Sequence, residues 1–176
     1  LEPGMKLTTP EPRLNDLYRH LLLSCLNNLR KNPERPWHEP FQSPMWEGVW
    51  PWECAHMIVP MCAAGYHQEL EPALRFFTER QSSVGPYAEP GRKPEGETQS
   101  AHGCYTGNFL LRWTCETGSI LWAMAAKYRY SGDTVWLNDN KASILAAWDW
   151  IQGERARTRQ FTDTGAKVPY YRLMPR

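Results

Sequence analysis

Apolar residues recur at intervals of three and four in five stretches of the chain, and each stretch predicts a helix. Over residues 13–30, Leu14, Leu17, Leu21 and Cys25 share one helical face, and Pro10 and Pro12 lie where a missing N–H costs little. From residue 52 to 64 the chain is apolar on nearly every side, so a helix here is expected to be almost wholly buried, with a kink or break at Pro60. Gly65 ends it, and a one-sided helix over 69–81 follows, with Leu70, Leu74 and Phe77 on its apolar face. The same design returns over 117–130 and 136–157, joined by Ser131-Gly132-Asp133, with Ile144, Leu145, Trp148 and Ile151 at helical spacing in the returning helix. Two helices joined by a few residues pack antiparallel. The pattern therefore predicts two helical hairpins of one design, preceded by a single helix.

Two longer segments break the periodicity. Residues 31–51 are rich in proline and aromatics, and residues 82–112 are dense in Gly, Pro, Ser and Thr. Both exceed what a simple connection needs, and long ordered loops in compact domains are often functional. Disorder is the alternative reading for residues 89–100. No segment alternates well enough to predict a sheet, which leaves a short hairpin within the long loop as the open exception. The expected fold class is all-α: buried inner helices, one-sided outer helices, short turns at one end and long aromatic loops at the other, forming part of a helical toroid. Trp122, Trp136, Trp148 and Trp150 are read as core, Asp133 as a turn and helix-start residue, and residues 154–159 as a solvated helix end.

Composition narrows the function without choosing it. The 176 residues, 41% of them hydrophobic, suit one folded domain. Twenty basic and nineteen acidic side chains leave a net charge of +1 with no long basic run, so neither nucleic acid nor an anionic membrane is expected as a partner. No apolar stretch reaches the roughly 18 residues of a membrane helix. The cysteines at 25, 54, 62, 104 and 115 and the histidines at 20, 38, 56, 67 and 102 lack metal-ligand spacing, so no metal or other cofactor is expected. Free structural cysteines lean weakly to a reducing, cytoplasmic compartment.

Candidate chemistry sits where the two apolar helices begin. At the first, Trp46, Trp50 and Trp52 surround Glu53; at the second, Arg112 and Trp113 precede Glu116. An acid in the first turn of a helix is favoured by about 0.3–1 kcal/mol, which accounts for either glutamate alone. That preference does not account for tryptophan beside both. Flat apolar rings cover the C–H face of a pyranose, and carboxylates accept from its hydroxyls or handle a proton. Glu116 is the candidate general acid, since apolar surroundings favour a protonated carboxyl group. Glu53, with Trp46, Trp50, Trp52, Arg112 and Trp113, is assigned to substrate binding.

These residues resemble those of the six-hairpin glycosidases, the (α/α)6-toroid group of glucoamylases, trehalases, debranching-type glucosidases and α-rhamnosidases. The resemblance is carried by residues 9–18, by the tryptophan-rich entry to Glu53, and by residues 116–122 with Tyr128, Ser131-Gly132-Asp133 and Trp136-Leu137. It implies inverting hydrolysis of an α-linked glucoside- or rhamnoside-type sugar by paired carboxylates. In that family the position of Glu53 is usually an aspartate that holds the sugar. Six hairpins make the full toroid, so residues 1–176 are expected to be an incomplete part of it, with the catalytic base beyond residue 176. The alternatives are a noncatalytic carbohydrate-binding helical domain and a helical interaction scaffold whose tryptophans only pack.

Overall fold

The computed structural model describes residues 4–43, 45, 48–88, 93, 94, 96, 98–108 and 113–175. Helix α1 (Pro12–Asn27) leads into a strand pair, β1 (Leu29–Lys31) and β2 (His38–Pro40). Four helices follow: α2 (Pro51–Ala63), α3 (His67–Glu79), α4 (Glu116–Ser131) and α5 (Thr134–Arg157). The strand pair overturns the all-α expectation. Leu29, Arg30 and Lys31 pair antiparallel with Pro40, Glu39 and His38, so about half of the described residues are helical and the architecture is mixed rather than a segment of an all-α toroid. Three-residue strands are too short to show a period of two, which is why alternation gave no sign of them.

The principal helix contact is α2 against α4, and α5 packs on α4. Cys54, Ala55, Ile58, Met61 and Cys62 of α2 share one buried core with Ile120, Ala123 and Met124 of α4 and with Leu70, Leu74, Phe76 and Phe77 of α3. Strand β2 lies on α3, and the hairpin seats Trp37 edge-on against Phe76, with ring centroids 6.1 Å apart. Pro60 does not break α2, which continues to Ala63 although proline supplies no N–H to the carbonyl four residues earlier. The helix closes with Tyr66 N–H donating to Met61 O and Gly65 N–H to Cys62 O, Gly65 taking the left-handed φ of 90° that this closure requires.

Three expectations about burial change in the folded chain. In α1, Leu14, Leu17 and Leu21 are each about half exposed; of the expected face Cys25 alone packs on the core, together with Tyr18, Leu22 and Leu26. The buried stripe is rotated by one residue from the leucine face, and the Tyr18 hydroxyl donates to Met5 O. Trp136 and Trp150 are buried as expected, whereas Trp122 and Trp148 face solvent. Glu154 does not belong to a solvated helix end: it is buried, accepts from Gln99 N–H, and pairs with Arg157 at 2.8 Å.

The α4–α5 turn combines several local devices. Gly132 adopts a left-handed φ of 66°, and the Asp133 carboxylate caps α5 by accepting from Trp136 N–H. Its other oxygen lies 3.7 Å from Nζ of Lys127, a buried lysine whose ammonium sits over the Trp136 ring. Asn caps a helix about as well as Asp. Asp133→Asn therefore keeps the cap and removes the ion pair to a buried lysine, while Asp133→Ala removes both and is expected to cost about 1 kcal/mol more than Asp133→Asn. Urea unfolding of the two variants measures the difference.

Candidate functional site

Helices α2 and α4 start side by side. Trp50 stands at the N-cap of α2 in extended conformation, Pro51 takes the first helical position, and Glu53 lies in the first turn. Cys115 stands at the N-cap of α4, and Glu116 is its first residue. The rings of Trp50 and Trp113 meet edge to face across the two starts, with centroids 5.1 Å apart. Both carboxylates act on the thiols at both starts, Cys54 and Cys115, so Glu53 and Glu116 share one neighbourhood.

The two long loops are tied to this end of the helices. Val49 N–H donates to the Asn108 side chain at 2.7 Å, and a Cβ on Gly107 would overlap the Val49 carbonyl, so only glycine allows the two backbones this approach. The Thr117 hydroxyl accepts from Tyr105 N–H and donates to Tyr105 O, pinning the second loop to the first turn of α4. Further along that loop, the Trp150 indole donates to Ser100 O and Glu154 accepts from Gln99 N–H. The loops thus frame the two helix starts from both sides.

The predicted site residues divide between wall and surface. Trp46 and Arg112 lie outside the described residues. Trp50 is half-buried, Trp113 is 40% exposed and Trp52 is 46% exposed. Glu116 is only 2% exposed, while Glu53 is half-buried with Oε2 shielded from solvent and accepting no hydrogen bond from the described residues. An acceptor in that state is matched by a ligand hydroxyl. Trp52 does not join the Trp50–Trp113 pair; it packs on His56 at 4.6 Å, and His56 meets Trp122 edge-on at 5.3 Å. This Trp52–His56–Trp122 row crosses from α2 to α4. The spacing of four from Trp52 to His56 signals their contact along one helix, but the register that brings Trp122 alongside belongs to the packed pair.

The thiols report the electrostatics of the site. Burial, then the Glu53 and Glu116 carboxylates, push Cys54 far above its usual value, and its S–H donates to Pro40 O. Burial holds Cys62 and Cys104 up at about 11. Cys115 is exposed, and its thiol is raised first by burial and next by Glu116, with Glu53 adding to the shift. A cavity of about 860 Å³ opens at the C-terminal end of α5, lined by Gln99, Arg157, Thr158 and Tyr170; neither Glu53 nor Glu116 lines it.

Among the described residues, no cluster of three His, Cys, Asp or Glu side chains could hold a metal ion, and no helix is long and apolar enough to cross a membrane. Comparison with known proteins finds no matching family model, curated protein or solved structure.

Because carboxylate charge raises the Cys115 pKa, removing that charge lowers it. Glu116→Gln is expected to move the pH midpoint of Cys115 alkylation by iodoacetamide downward, and Glu53→Gln to move it in the same direction by less. An unmoved midpoint in both variants would separate the acids from this thiol.

Proposed function

We propose that the two helix starts form a carbohydrate site of the glycoside hydrolase type, taking an α-linked glucoside- or rhamnoside-type sugar. The observation that carries the proposal is the joining of two carboxylates and an edge-to-face indole pair at the adjacent starts of α2 and α4. The exposed ring surface of Trp113 covers the C–H face of a pyranose, and Glu53 accepts from its hydroxyls. Glu116 is the proton donor to the leaving oxygen. The base that activates water in an inverting reaction is a carboxylate other than these two. The resemblance of residues 116–122 and of the tryptophan-rich entry to Glu53 is what joins this geometry to glycosidic chemistry.

Two other readings meet specific observations. The deep burial of Glu116 favours a noncatalytic sugar-binding site, because an enclosed acid reaches a glycosidic oxygen only if its cover moves. The exposure of Trp52 and Trp113 weighs against a scaffold in which tryptophans only pack.

General acid catalysis contributes about 10²–10⁴ in rate. In the full chain, Glu116→Gln is expected to lower kcat on p-nitrophenyl α-glucopyranoside or α-rhamnopyranoside by about that factor, while sugar-dependent quenching of tryptophan fluorescence survives. Unchanged turnover would remove Glu116 from the acid role. Quenching without any turnover by the unaltered chain would leave the noncatalytic reading, and neither response would leave the scaffold.

A further inference from the structure

A second cleft opens beside the site, on the face where the strand hairpin meets α3. It encloses about 390 Å³, and its walls are aromatic and cationic: Trp37 and Arg35 from the β1–β2 connection, Phe76 and Arg80 from α3, Tyr87 from the loop beyond it. The Arg35 guanidinium lies 4.9 Å from the Tyr87 ring centroid and 5.7 Å from that of Trp37, and Arg80 lies 4.6 Å from that of Phe76. Trp37 and Tyr87 brace each other edge to face, with centroids 5.1 Å apart. The rings thus hold both cations in place along the cleft.

Charge in the cleft is unequal. Among the described residues Glu39 is the one acid in the lining, and it accepts from the Asn32 side chain at 3.0 Å. Arg35 forms no ion pair among the described residues, and its cation rests on aromatic faces alone. The indole N–H of Trp37 is buried and donates to no group among the described residues. Asn108, whose side chain oxygen accepts from Val49 N–H just before Trp50, lines the same cleft. The cleft and the paired helix starts are therefore joined through a single side chain.

We propose that this cleft binds the carboxylate of an acidic sugar, a uronic-acid unit of the saccharide whose neighbouring unit occupies the Glu53–Glu116 site. A guanidinium presents two parallel N–H groups that match a planar carboxylate, and an arginine already seated against aromatic rings loses little freedom on binding. The exposed part of the Tyr87 ring offers a platform for the sugar's C–H face. The saccharide in this proposal rests on the reading of the helix starts as a sugar site; the selection for negative charge rests on the cleft itself.

The test is calorimetric titration of the full chain with glucuronate, glucose and inorganic phosphate at low salt. A charge-assisted bidentate contact is expected to make glucuronate bind about tenfold or more tightly than glucose. Arg35 is exposed on the hairpin connection, so Arg35→Gln is expected to fold, to abolish that preference and to leave glucose binding unchanged. Equal affinity for glucuronate and glucose, or a preference that survives Arg35→Gln, overturns the proposal. Phosphate binding as tight as glucuronate overturns its saccharide part and leaves an anion cleft. The Glu116→Gln variant separates this test from the preceding one: a retained glucuronate preference with unaltered turnover fails the acid role alone, whereas a lost acid function with no glucuronate preference fails the cleft alone.

Discussion

The mutual burial of α2 and α4 is the constraint on which the rest depends. Both helices present apolar side chains around most of their circumference, and neither is stable in water without a cover. Packing them together places Cys54, Ala55, Ile58 and Met61 in the same core as Ile120, Ala123 and Met124. Burying an aliphatic side chain of this size is worth about 1.5–3 kcal/mol. The pair is then held at its N-terminal end by groups that are not apolar at all, through Val49 on Asn108 and Tyr105 on Thr117. Helix packing sets the distance between the starts, and the loop hydrogen bonds set what surrounds them.

That arrangement explains the chemistry of the mouth. Two acids placed in first helical turns are each compatible with the helix dipole. Brought into one neighbourhood, they become a local concentration of negative charge, which the raised thiols of Cys54 and Cys115 register. The Trp50 and Trp113 rings meet edge to face across the helix starts, and Trp113 keeps part of its aromatic surface exposed. The adjoining cleft has the opposite character, with arginines over aromatic rings and, among the described residues, a single acid already engaged. Opposite charge preferences side by side suit a ligand whose own polarity varies along its length.

The helices were legible because their physical causes are local. The five periodic stretches match α1 to α5 to within a few residues, Gly65 and Gly132 supply the left-handed turns, and Asp133 caps the helix that follows it. The strand pair was not legible, since three residues carry no usable alternation and its stability comes from α3 beneath it. The face of α1 is illegible for a related reason: periodicity finds the apolar stripe of Leu14, Leu17, Leu21 and Cys25, but the adjacent stripe of Tyr18, Leu22, Cys25 and Leu26 is apolar too. Only a tertiary contact chooses between them.

For the candidate site, the residues themselves identified Glu53, Glu116, Trp50, Trp52 and Trp113 as polar and aromatic groups concentrated at two helix starts. Sequence position does not specify which ring meets which, and the folded chain pairs Trp50 with Trp113 while sending Trp52 to His56 and Trp122. Nor does it specify burial, so Glu154 reads as part of a solvated helix end until Gln99 and Arg157 enclose it. The sequence by itself determined where helices begin, end and turn, because capping, glycine φ and side-chain period act within a few residues. The tertiary structure decided which faces are covered, which charges share a neighbourhood and that the Arg35 cleft adjoins the helix starts, because those depend on contacts between segments far apart in the chain.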